Sequence, residues 1–123
     1  MAKASIDFNA TDIAAQAEEA RQSDLDALPY GVIKLDRQCR VTFFSETEVR
    51  LSGHAAPLGQ NLFDLSQCPN REELRAQIKR AMENAPADFE LAWVGDLNDP
   101  MREMRIRIQS ARDGGVWMFV ERD

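Results

Sequence analysis

Three side chains between Phe43 and Cys68 have the chemistry of a site: the Glu48 carboxyl, the Ser52 hydroxyl a helical turn later, and the Cys68 thiol. A cysteine thiolate attacks an activated acyl carbon and gives a thioester. A carboxyl group buried among apolar residues has its pKa raised by desolvation, so it stays protonated and can donate a hydrogen bond. The same group is then a ready proton source. Each residue also has a plainer role. Glu48 sits three positions after Ser45, the spacing of a capping box. Ser52 precedes Gly53 and can be a helix-end hydroxyl. Cys68 can be a small buried apolar residue.

Other chemistries find little support. The chain has one His and two Cys, Cys39 and Cys68, without the ligand spacing of a structural zinc site. Two free thiols are expected in a reducing compartment. No nucleophile and base stand together in the sequence, so an enzyme is not expected. The 123 residues make one domain, and 44% hydrophobic content is enough for one core. A net charge of -6 argues against binding nucleic acid or anionic lipid. Without a long apolar run or a signal-peptide pattern near Met1, a cytoplasmic protein is the expectation.

The elements that must position the three side chains follow from patterning. Asn9 or Thr11 can cap a helix beginning near Asp12; its apolar face is thin, so weak docking is expected. A short helical piece is expected at Ser23 to Ala27, ended by Pro29. Tyr30–Asp36 and Arg40–Phe44 read as a hairpin, with Cys39 as a semi-exposed thiol at the turn. Ser45 opens the short helix carrying Glu48 and Ser52, and Gly53 closes it. Leu58, Leu62, Phe63 and Leu65 are expected to point inward from a loop-rich segment. Pro69 should hold Cys68 extended, just before a helix capped by Asn70, whose apolar stripe is Leu74, Ile78, Ala81 and Met82. Three strands end the chain. Phe89, Leu91 and Trp93 alternate inward on the first, and Met104, Ile106 and Ile108 oppose Arg105 and Arg107 on the second, a one-sided pattern. Val116–Val120 reads as a buried final strand.

This order predicts an α+β domain: a five-stranded antiparallel sheet flanked by helices. Its order and size match a PAS domain, with an N-terminal helical cap over residues 1–28 and a PAS core over 29–123. The stretches FNATDI, LDALPYGVIKLD, the helix around Glu48 ending in SG, GQNLFDLSQC and VWMFVERD are collinear, from Phe8 to Arg122, with the photoactive yellow protein family of blue-light sensors, which the chain resembles.

The resemblance implies a photoreceptor carrying para-coumaric acid (4-hydroxycinnamic acid) as a thioester on Cys68. It implies that Glu48 hydrogen-bonds the phenolate and gives it a proton after photoisomerisation, with Ser52 at the family's threonine position. The family's tyrosine position carries Phe44, and its pocket arginine is replaced by His54. The loop from Gly53 to Gly59 and the stretch from Gly59 to Cys68 are shorter than in the family, and Met101 falls out of register with its pocket methionine. The alternative reading is a chromophore-less PAS sensory or interaction module. A downstream signalling protein is implied without being specified, and a homodimer stays open.

Overall fold

Five strands pair antiparallel throughout, in the order β2-β1-β5-β4-β3. They are β1 Gly31–Leu35, β2 Val41–Phe44, β3 Asp88–Val94, β4 Glu103–Ser110 and β5 Val116–Arg122. The structure, a computed structural model, describes residues 6–65, 71–95 and 101–122. The expectations for Cys68, Pro69 and Asn70 therefore lie outside the described residues.

Because side chains alternate across a strand, the register assigns every strand residue to a face. Ile33 stands opposite Phe44 on one side and Met118 on the other. With Ile106, Ile108, Val120 and Trp93 they form the larger core, closed by α5, Arg71–Glu83, through Leu74, Ile78 and Ala81. The short helix α4, Leu62–Leu65, adds Leu62 and Phe63.

The opposite face carries Val32, Trp117 and Phe119 and is covered by the N-terminal residues Ile6, Phe8, Ile13, Leu25 and Leu28. Two short helices lie there, α1 Ile13–Glu19 and α2 Gln22–Asp26. Helices this short are marginal alone. Apolar burial of Ile13, Ala14 and Ala17 is supplemented by polar ties from the sheet. Arg107 Nη1 donates to the carbonyls of Phe8 and Ala10 at 2.8 and 2.6 Å. Gln109 donates to the Thr11 carbonyl at 2.9 Å and accepts from Ala14 N–H at 2.8 Å. Trp117 Nε1 donates to Glu18 at 3.0 Å.

Four expectations are corrected here. β4 is not one-sided: Arg107 and Gln109 are buried, because the N-terminal segment covers their face. The N-cap of α1 is Asp12, with no side-chain cap bond, rather than Asn9 or Thr11; Gln109 takes one of the orphan first-turn donors instead. Cys39 is buried at 1% exposure, because its left-handed backbone (φ 64°) turns the thiol into the larger core. Leu58 points outward, and its neighbour Pro57 fills the interior.

Candidate functional site

Helix α3, Glu46–Ser52, positions the acidic residue. Ser45 caps it by accepting from Glu48 N–H at 3.1 Å, and Gly53 ends it in the left-handed region (φ 74°), where glycine meets no Cβ penalty. Ser45 also joins α3 to β1: its Oγ accepts from Val32 N–H at 3.1 Å, and its own N–H donates to the Val32 carbonyl at 2.9 Å. Thr47 adds donation to the Leu28 carbonyl at 2.7 Å. So held, α3 turns Glu48 onto the sheet, where it is 2% exposed.

The capping box is only half made. The Glu48 carboxylate lies instead on Arg122, the last residue of β5: Nη1 donates to Oε1 at 2.8 Å and Nη2 to Oε2 at 2.7 Å. Both side chains are 2% exposed. A two-pronged guanidinium contact of this kind favours the ionised carboxylate over the neutral acid. The space for it comes from Gly31. A Cβ there would stand 1.7 Å from Glu48 Oε1 and 3.3 Å from Arg122 Nη1.

The other sequence candidates fall around this pair. Phe44, at the end of β2 just before α3, is buried on the same face as Ile33. Ser52 is buried one helical turn beyond Glu48, and its Oγ accepts from His54 N–H at 3.2 Å. His54 is half-buried, with Nδ1 2.6 Å from the Ala55 carbonyl. Cys68 lies outside the described residues. Trp93 belongs to the larger core, whereas Trp117 and Phe119 stack on each other beneath the N-terminal segment.

Arg122 and Gly31 were not singled out from sequence. Strand parity carries the signal for Arg122: Met118, Val120 and Arg122 alternate onto the face that receives α3 and α5. A cation on that face needs a buried anion, and Glu48 is the acid whose helix packs there. For Gly31 the signal is a glycine opening a strand, a common mark of close approach by another group.

Among the described residues no cluster of three or more His, Cys, Asp or Glu could hold a metal ion, and no helix is long and apolar enough to cross a membrane. A surface groove of about 290 Å³ runs between α5 and the start of β3, lined by Gln77, Arg80, Ala81, Asn84, Ala87 and Phe89. It shares no residue with the Glu48–Arg122 pair.

No family model matches the chain. It is 24% identical over 121 residues to the photoactive yellow protein of Halochromatium salexigens, covering 95% of this chain and 97% of that protein. It superimposes with a TM-score of 0.78 and 26% identity on the photoactive yellow protein domain of the sensor histidine kinase Ppr from Rhodospirillum centenum, covering 89% of this chain and 99% of that one. The PAS domain of the histidine kinase ThkA shares the fold, with a TM-score of 0.57 over 75% of this chain and 98% of that one.

The resemblance drawn from the sequence leads to the expectation of an aromatic acyl group bearing a phenol. The described residues suit one with a change. Apolar side chains line the sheet face, and a buried polar pair stands at one end, as a hydroxyl would require. Here, however, the carboxylate is an acceptor, and Phe44 offers no hydroxyl.

Proposed function

We propose that the chain is a PAS-fold sensor of the photoactive yellow protein kind, a blue-light photoreceptor bearing para-coumaric acid as a thioester on Cys68. The single observation that carries this reading is the buried Glu48 on α3, facing the core at the position where the resemblance calls for an acid. A buried charged side chain costs several kcal/mol unless it is paired, and surface helices place glutamate outward by default.

In this reading the Cys68 sulfur replaces the leaving group of an activated coumaric ester after losing its proton, and the carbonyl carbon of the acid becomes the thioester carbon. The bound group supplies light absorption and a double bond that isomerises. The remaining tasks fall to the chain. The apolar face formed by Ile33, Phe44 and Val120 excludes water. Glu48 and Arg122 receive the phenolic end and hold its proton balance. The N-terminal segment, tied mainly through Arg107 and Gln109, is the layer whose release would report the change to an unidentified downstream protein.

A second reading, a PAS sensory module without chromophore, is favoured by Phe44, which leaves a phenolate one donor short. Reconstitution followed by a blue-light flash separates the two. A photoreceptor gives a transient absorbance change that recovers in the dark. A protein that stays colourless, or coloured but unresponsive to light, sinks the proposal.

A further inference from the structure

We propose that β3 is the docking edge for a second copy of this chain: the two β3 strands pair antiparallel about a two-fold axis at Leu91 and join two five-stranded sheets into one. The inference goes beyond the photoreceptor reading. It rests on the strand alone, with or without a bound chromophore.

The two ends of the sheet differ. β2 has four residues, and the register of its pairing with β1 shifts between Lys34 and Leu35. Its outer side is bonded by the chain that follows α3: Val41 N–H donates to the Gln60 carbonyl at 2.9 Å, and Gly59 N–H to the Val41 carbonyl at 2.8 Å. Short length, irregularity and a covering loop are the usual ways of closing an edge to other strands. Among the described residues β3 has none of them. It runs seven residues without Lys or Pro, in unbroken register with β4 as its strand neighbour.

The groups on the open side follow from the ladder. Ser110 N–H donates to the Ala87 carbonyl at 3.1 Å, and Gly95 N–H to the Arg102 carbonyl at 2.9 Å. Antiparallel bonding alternates along a strand, so the odd-numbered residues of β3 bond to β4, and Glu90 and Ala92 direct their N–H and C=O groups away from it. Apolar side chains are uncovered at the same edge. Phe89 and Leu91 pack against the larger core but are only partly buried, whereas their β4 partners Ile108 and Ile106 are 0% and 2% exposed. The groove beside Ala87 and Phe89 lies along this edge as well.

The segment that fits this edge is the edge itself. A two-fold axis normal to the sheet keeps both apolar faces on one side. With Leu91 opposite Leu91, Glu90 of each copy stands opposite Ala92 of the other, and the two exchange N–H···O bonds on each side of the axis. Phe89 stands opposite Trp93 of the other copy in a non-hydrogen-bonded pair, where side chains come closest. Asp88 stands opposite Val94, whose side chain is 48% exposed. No acid meets an acid directly, whereas a register centred on Glu90 would set Glu90 against Glu90. Both acids are neutralised within their own copy: Glu90 accepts from Arg105 at 3.0 and 3.2 Å, and Asp88 from Arg107 at 3.3 Å.

The test uses the full chain. In sedimentation equilibrium the wild type is expected to pass from one chain to two as its concentration rises towards about 1 mM. The Glu90 and Ala92 amides are expected to exchange at least about tenfold more slowly in the concentrated than in the dilute sample, a result that needs no variant. Ala92→Pro removes an edge N–H without breaking a bond to β4, and is expected to weaken association at least about tenfold while keeping the urea midpoint of the dilute protein. A wild type that stays a single chain up to about 1 mM overturns the proposal. So does a dimer whose Glu90 and Ala92 amides exchange as fast as in the monomer, which puts the contact on another surface. A folded Ala92→Pro protein that associates like the wild type overturns it too. If Ala92→Pro does not fold, the two wild-type amides decide.

Discussion

Arg122 and Glu48 meet through two parallel N–H···O bonds of 2.8 and 2.7 Å, one from each terminal guanidinium nitrogen to each carboxylate oxygen, out of contact with water. This pair fastens the end of β5 to α3. Removing one partner takes the two-pronged contact from a buried charge, at a cost of roughly 3–5 kcal/mol, whereas replacing both with apolar residues can be close to neutral. Glu48→Leu and Arg122→Met should each lower stability by that order, and the double variant Glu48→Leu/Arg122→Met should recover most of it. Urea unfolding of the four proteins gives the coupling energy directly.

Gly31 gives a second handle on the same pair. An alanine Cβ would stand 1.7 Å from Glu48 Oε1 and 2.9 Å from Glu48 Cδ, so the carboxylate must move. Gly31→Ala should cost about 1–3 kcal/mol, the usual range for overpacking a filled site. If Gly31→Ala unfolds at the same urea concentration as the wild type, the close approach is wrong.

How far the site could be read in advance depended on what each residue does locally. Ser45, Glu48 and Gly53 mark their helix by short-range rules, so α3 was legible, and the apolar stripe of α5 was legible by period. Arg122 was not, because its role arises from a partner 74 positions away. Arg107 misled for the same reason. Alternation with Ile106 and Ile108 marks a solvent-facing side, but only tertiary packing reveals that residues 6–28 cover it. Cys39 looked like a turn thiol, and a positive φ reversed its direction.

The ties to the N-terminal segment predict a local effect. Arg107→Ala removes the donors that hold the carbonyls of Phe8 and Ala10. Hydrogen bonds to a charged group contribute about 1.5–3 kcal/mol each, so amide exchange in residues 8–17 should speed up by at least tenfold. The core amides of β1 and β5 should keep their protection. Equal acceleration everywhere would show that the segment does not open by itself.

Asp36 gives a pH dependence. Desolvation pushes its pKa up, but the backbone N–H groups of Arg40 and Gln38 and the Arg40 guanidinium outweigh it, and the net shift is downward. A depressed folded-state pKa contributes stability that is present above the unfolded value, about 3.9, and is lost as pH falls through the folded value. Asp36→Ala should therefore be destabilised relative to wild type at pH 7, with the gap closing as pH falls through the depressed folded-state value. A gap in melting temperature that stays constant from pH 7 to pH 2 would contradict this.

Cys39 and Cys68 are the two thiols on which an acyl group could settle. Burial raises the Cys39 pKa, with Lys79 and Arg75 opposing the shift only in part, so Cys39 is a poor nucleophile in the folded state. Treating the apoprotein with an activated para-coumaric ester, digesting it and mapping the modified peptide tests the account most directly. One coumaroyl group on Cys68, absent from Cys68→Ala, is the predicted result. A folded protein that takes up no coumaroyl group, or takes it up on Cys39, contradicts it.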